Sequence, residues 1–167
     1  MNKRIFLKIS AFVFCVVLVL SLLCSCSKKQ YNDTLDCAYI TSTLQSKMLT
    51  DEAYSAYSAE DIAFMLDDSD KFDSYSVIYS SSSDDIGEIG VFHAISEEES
   101  LDLLDDVAEY LSELKEEKGS FVRNYLPNEQ KKLDGANVKR FGNYVVFTVL
   151  DSAKSDAVFK EIERLLK

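Results

Sequence analysis

Ala136-Asn137-Val138-Lys139-Arg140-Phe141-Gly142-Asn143-Tyr144-Val145-Val146-Phe147-Thr148-Val149-Leu150 reads as two β-strands, Ala136 to Phe141 and Tyr144 to Leu150, closed by a two-residue turn. Gly-Asn is a pair suited to tight hairpins, and the flanking residues are mostly β-branched or aromatic. A similar pattern lies upstream. From Ser74 to Ser80, Tyr75, Val77 and Tyr79 alternate with serines and Ile78, the signature of a half-buried strand. A second strand is expected from Glu88 to Ile95, beyond the polar run Ser81 to Asp85. Between the two hairpins, Ser96 with Glu99 forms a capping box. Leu104, Val107, Ala108, Leu111, Leu114, Lys118, Phe121, Val122 and Tyr125 then keep a helical period until Pro127 stops it. Helices are also expected from Thr34 to Met48, from Ala59 to Leu66 after the cap at Ser58, and from Ser155 to Leu166.

Short hairpins separated by helices predict an α+β domain: a four-stranded antiparallel sheet made of two β-hairpins, with helices packed on one face. A weak echo at an offset of 55 residues supports a strand–strand–helix pseudo-repeat, because Gly87, Val91, Phe92 and Ser100 recur as Gly142, Val146, Phe147 and Ser155. Duplication requires Phe92 and Phe147 to face the same way, and the helices holding Val107 and Ile162 to lie side by side.

The beginning of the chain carries a different signal. Lys3, Arg4 and Lys8 precede an almost wholly apolar run from Ile9 to Leu23, the charged-then-apolar order of a secretory signal. Leu23-Cys24-Ser25-Cys26 resembles the lipobox of bacterial lipoproteins, with small Ser25 directly before the cysteine to be modified. Cys24 is disfavoured because bulky Leu23 precedes it. The resemblance implies lipid on Cys26 and cleavage between Ser25 and Cys26; an uncleaved N-terminal anchor is the alternative. The expected organisation is a signal peptide over 1–25, a lipidated cysteine and polar tether over 26–33, and one domain over 34–167. The expected location is the outer face of a bacterial cytoplasmic membrane.

Removal of residues 1–25 takes three of the 18 Lys+Arg and none of the 29 Asp+Glu, so the remainder carries a net charge of −14. That sign excludes nucleic acid as a partner, since phosphate binding needs a basic patch. It favours solubility and attracts basic partners or cations. Cys37 is then the one free thiol. It shares helical spacing with Ile40, Leu44 and Met48, so it is expected to be buried and inert.

Ser80-Ser81-Ser82-Ser83-Asp84-Asp85-Ile86-Gly87-Glu88-Ile89-Gly90-Val91-Phe92-His93-Ala94 resembles the central segment of the bacterial lipoprotein family of the domain of unknown function 4358. Asn124-Tyr125-Leu126-Pro127-Asn128-Glu129, Leu133, Ala136-Asn137-Val138 and Gly142-Asn143-Tyr144-Val145-Val146 resemble that family's second signature. The resemblance runs from about Leu35 to Leu166 and implies lipid anchoring and an α+β fold. It implies no activity, and it carries no role to His93.

A catalytic set is not expected. His93 is the single histidine and sits within a strand, so a Ser–His–Asp arrangement has no natural base. Asp67-Asp68-Ser69-Asp70 with Asp73 lacks the turn glycine and terminal glutamate of a calcium loop. Phosphate-loop patterns are absent, so neither cofactor nor metal is expected. Asp105-Asp106 and Glu97-Glu98-Glu99 are read as the exposed face and favourable N-terminal charge of the long helix. These observations predict a non-catalytic binding or interaction domain with a protein or small-molecule partner. The rival is a cell-envelope enzyme acting through carboxylates, such as a wall-sugar hydrolase.

Overall fold

The computed structural model describes residues 30–50, 53–66 and 69–167. The expected signal peptide, Ser25, Cys26 and the acidic break at Asp67 and Asp68 lie outside the described residues. The elements are α1 (Cys37–Met48), β1 (Tyr54–Ala56), α2 (Ala59–Met65), β2 (Phe72–Ser80), β3 (Glu88–Ala94), α3 (Glu97–Tyr125), α4 (Gln130–Asp134), β4 (Asn137–Phe141), β5 (Tyr144–Val149) and α5 (Ser152–Leu165). Among the described residues, no helix is long and apolar enough to cross a membrane.

Every strand pair is antiparallel, in the order β1-β2-β3-β5-β4. The hairpin that decides the fold pairs Phe141 with Tyr144 across Gly142 and Asn143. Gly142 has φ +63°, and no other described residue has positive φ, the pattern of a II′ turn with glycine first. The α+β class stands, but the sheet has five strands rather than four. The addition, β1, pairs Tyr54, Ser55 and Ala56 with Ser80, Tyr79 and Ile78. Three residues are too few to display an alternation.

Helices cover both faces, which corrects the expectation of one. α3 places Leu103, Val107, Leu111 and Leu114 against Val77, Phe92, Val145 and Phe147. On the other face, α1 and α5 place Ile40, Leu44, Val158 and Ile162 against Ile78, Ile89, Val91 and Val146. The cause is visible in β5, where all six residues are buried. A strand apolar on both faces needs cover on both. Phe92 and Phe147 do share a face, with stacked rings 6.4 Å apart. Val107 and Ile162 lie on opposite sides of the sheet, so the two strand–strand–helix units are not equivalent and the duplication fails.

Local chemistry sets the helix ends. Ser58 and Asp61 form a reciprocal capping box on α2, and Ser96 caps the 29-residue α3 through the Glu99 amide. At the other end of α3 the chain turns through Pro127–Glu129 into α4, which the sequence reading did not anticipate. The residues just before α1 are bound to the domain. Asn32 donates its amide to the Leu166 carbonyl at 2.6 Å, and Tyr31 meets Phe141 edge to face. The stretch expected to be a tether therefore ends in docked residues.

Candidate functional site

β3 is apolar along most of its length, yet it begins with Glu88, which is 4% exposed. A buried carboxylate requires donors. Tyr57, in the link between β1 and α2, donates to Oε1 at 3.1 Å, and Tyr110, on α3, donates to Oε2 at 2.8 Å. Burial pushes the Glu88 carboxyl above the usual range, against the lowering effect of the Tyr110 hydrogen bond and the Lys118 charge. Both tyrosines are themselves pushed well up by burial and by the adjacent carboxylate. The three side chains join β3, the approach to α2, and α3.

Those tyrosines line an open groove between α2 and α3. Its larger part, about 400 Å³, has Phe64 and Met65 on the α2 side and Leu114, Glu113 and Glu117 on the α3 side. A smaller part, about 250 Å³, shares Phe64, Met65, Tyr110 and Glu113 with the first and extends to Asp106 and Glu109. Glu88 lies behind the tyrosines and does not line either part. Phe64 is 93% exposed. Asp106 is paired with Lys71 at 2.6 Å, whereas Glu109, Glu113 and Glu117 have no ion-pair partner among the described residues. Among the described residues, Lys118 is the one basic side chain lining the groove.

A second polar cluster joins two segments that are remote in sequence. Lys132, 6% exposed, donates to Asp85 at 2.5 Å and lies 2.9 Å from Glu129. Burial would raise Asp85, but the Lys132 ammonium and the Gly87 amide outweigh it and hold the carboxyl below its ordinary value. A polar depression of about 540 Å³, lined by Ser81, Ser82 and Asp84, opens beside this pair. Here the serine loop is fastened to α4.

The third cluster surrounds His93, the candidate base considered from sequence. Nδ1 lies 2.7 Å from Asp73 and Nε2 3.1 Å from Asp33. Burial would lower this imidazole, but the two carboxylates prevail and raise it. With both nitrogens occupied, His93 fastens the segment before α1 to the sheet, and among the described residues no serine is hydrogen-bonded to it. Cys37 is fully buried, and burial pushes its thiol up to about 11. Among the described residues, no group of three His, Cys, Asp or Glu side chains is placed to hold a metal ion.

Sequence reading missed Glu88, Tyr57, Tyr110 and Lys132. An acid opening an apolar strand was the available signal for Glu88. The tyrosines gave none, because their partner is remote in sequence.

The architecture is that of an α+β domain with a sheet enclosed by helices and a groove at one end of one face. Residues 54–150 match the family model described as Domain of unknown function (DUF4358), and the chain belongs to that family. The match spans all five strands and the whole α2–α3 groove, and stops short of α1 and α5. No curated protein and no solved structure matches the chain.

Proposed function

We propose that this chain is a bacterial lipoprotein anchored through Cys26 at the outer face of the cytoplasmic membrane, and that its domain binds a ligand without catalysis. The seat is the groove between α2 and α3. The observation that carries this reading is the form of the groove: open, about 400 Å³, and walled by Tyr57, Met65, Tyr110 and Leu114 with carboxylates at its edge. Ligand sites combine apolar walls with a few placed polar groups at this scale. The alternative, an envelope enzyme acting through carboxylates, draws on the raised Glu88. That carboxyl is occupied by two tyrosines and sits behind the wall, where it fixes the wall rather than meeting a substrate.

NMR with a library of small fragments tests the seat. Shifted amides are expected to collect at Tyr57, Met65, Tyr110 and Leu114. Hits gathered on the α1–α5 side instead would remove the groove from consideration. Anchoring is tested by metabolic labelling with a fatty-acid probe: Cys26→Ala abolishes label and leaves precursor, whereas label lost from Cys24→Ala but kept on Cys26→Ala would reassign the modified cysteine.

A further inference from the structure

The groove walls differ in character. Along α3, Glu109, Glu113 and Glu117 recur every fourth residue, so they follow one another at about 6 Å of helical rise. Facing them from α2 is Phe64, its ring 93% exposed beside the partly buried Met65. The floor between is tyrosine, methionine and leucine. An occupant that matches all of this carries positive charges about 6 to 7 Å apart along one edge and at least one apolar side chain beside them. A polypeptide provides that spacing from residues four apart in a helix or two apart in a strand.

Building on the groove as the binding site, we propose that its occupant is a basic peptide segment of another protein, with Lys or Arg side chains against Glu109, Glu113 and Glu117 and an apolar anchor between Phe64 and Leu114. Charge complementarity selects this class. Anionic polymers and anionic lipid surfaces meet a wall of like sign, and a second copy of this acidic chain brings the same charge. A small linear polyamine satisfies the carboxylates but leaves Phe64 in water. The apolar floor separates this groove from an acidic patch that merely attracts counterions, and buried Glu88 keeps its two tyrosines in place.

The test uses the full chain in non-ionic detergent and a short capped fluorescent peptide holding one Phe among lysines spaced four apart. A counterpart with Glu for Lys, and spermidine, are the comparison ligands. The lysine peptide is expected to bind, and to weaken steeply with added salt. Glu113→Gln combined with Glu117→Gln is expected to weaken it by about tenfold, and Phe64→Ser by a similar factor. Asp156→Asn, which removes an acid on α5 across the sheet, is expected to change it less than about twofold. Phe64, Glu113 and Glu117 are surface positions, so circular dichroism of these variants should match that of the parent. Equal binding of the Glu peptide, or wild-type affinity in the double glutamine variant, overturns the proposal. Spermidine binding that is as tight, equally dependent on the two glutamates and indifferent to Phe64→Ser replaces the peptide with a small polycation. If fragments still gather in the groove while the lysine peptide does not bind, the seat stands and the occupant is wrong. If neither binds there, both readings fall.

Discussion

Gly90→Ala should destabilise the domain by about 2 to 3 kcal/mol through one ring. A Cβ at position 90 would lie 2.0, 2.5 and 2.8 Å from three ring atoms of Phe147. Carbon atoms in contact sit about 3.5 to 4.0 Å apart, so the ring must retreat by roughly 1.5 Å. It has nowhere to go. Phe147 is fully buried, stacked on Phe92 at 6.4 Å and met edge-on by Tyr110 at 5.7 Å. Overpacking of this kind costs about 1 to 3 kcal/mol, and the closeness of the approach places it near the upper end. The smaller unfolded-state entropy of alanine returns no more than about 1 kcal/mol. Urea unfolding followed by circular dichroism measures the loss, expected as a lower midpoint at unchanged slope. A cycle with Phe147→Leu isolates the cause: in this background, which has no ring at position 147, the added methyl should cost about 1 to 3 kcal/mol less. Strict additivity, or a Gly90→Ala midpoint equal to the parent, would falsify the contact. Because Tyr110 touches the same ring, the variant should also disturb the Tyr110 and Glu88 resonances.

Lys132→Ala should cost about 3 kcal/mol in the same assay, because it leaves Asp85 and Glu129 as unpaired, largely buried carboxylates. Since Asp85 is held below its usual value, it contributes stability above about pH 4 that is lost as pH falls through the lowered folded pKa. Acid unfolding of the parent should therefore show a drop that Lys132→Ala lacks. His93 works in the opposite sense: its raised pKa gives stability that is full below about pH 6.5 and lost as pH rises through the folded value. His93→Thr should flatten that slope in a pH series of melting temperatures, and an unchanged slope would deny the imidazole its two carboxylate partners. Cys37 should resist a thiol reagent at pH 8 in the folded chain and react on unfolding; rapid labelling without unfolding would contradict its burial. A fragment limited to residues 54–150 lacks α1 and α5, which cover Ile78, Ile89, Val91 and Val146. It should be aggregation-prone or unfolded, whereas a cooperative melt would show that the second layer is dispensable.

Most strands and four of the helices were legible because their signals are local. Val77 and Ile78 point to opposite faces as their alternation predicts, and the Ser58 and Ser96 caps start helices where expected. Layering was harder to read. Val145, Val146 and Phe147 in succession already say that both faces of β5 are covered, but an echo between two hairpins suggested one face. A repeat in sequence constrains which residues point the same way, and it does not decide the side to which each chain crosses after its strand. The site was legible only in outline. The acidic face of α3 could be read from spacing, whereas the groove depends on Tyr57 and Tyr110 meeting Glu88 across 31 and 22 residues.

The docking of Asn32 and Asp33 has a mechanical consequence. Glu88 and His93 stand near opposite ends of β3, roughly 17 Å apart along the strand, and their side chains leave on opposite faces. Tension applied to the chain ahead of Tyr31 is borne first by the Leu166 carbonyl, by His93 and by Asn143, all at the far end of the sheet from the groove. The groove thus lies off the load path. A pull on the N-terminal segment would peel away Tyr31, Asn32 and Asp33 before it strained α2 or α3, so the docked residues would yield first and the groove would keep its shape.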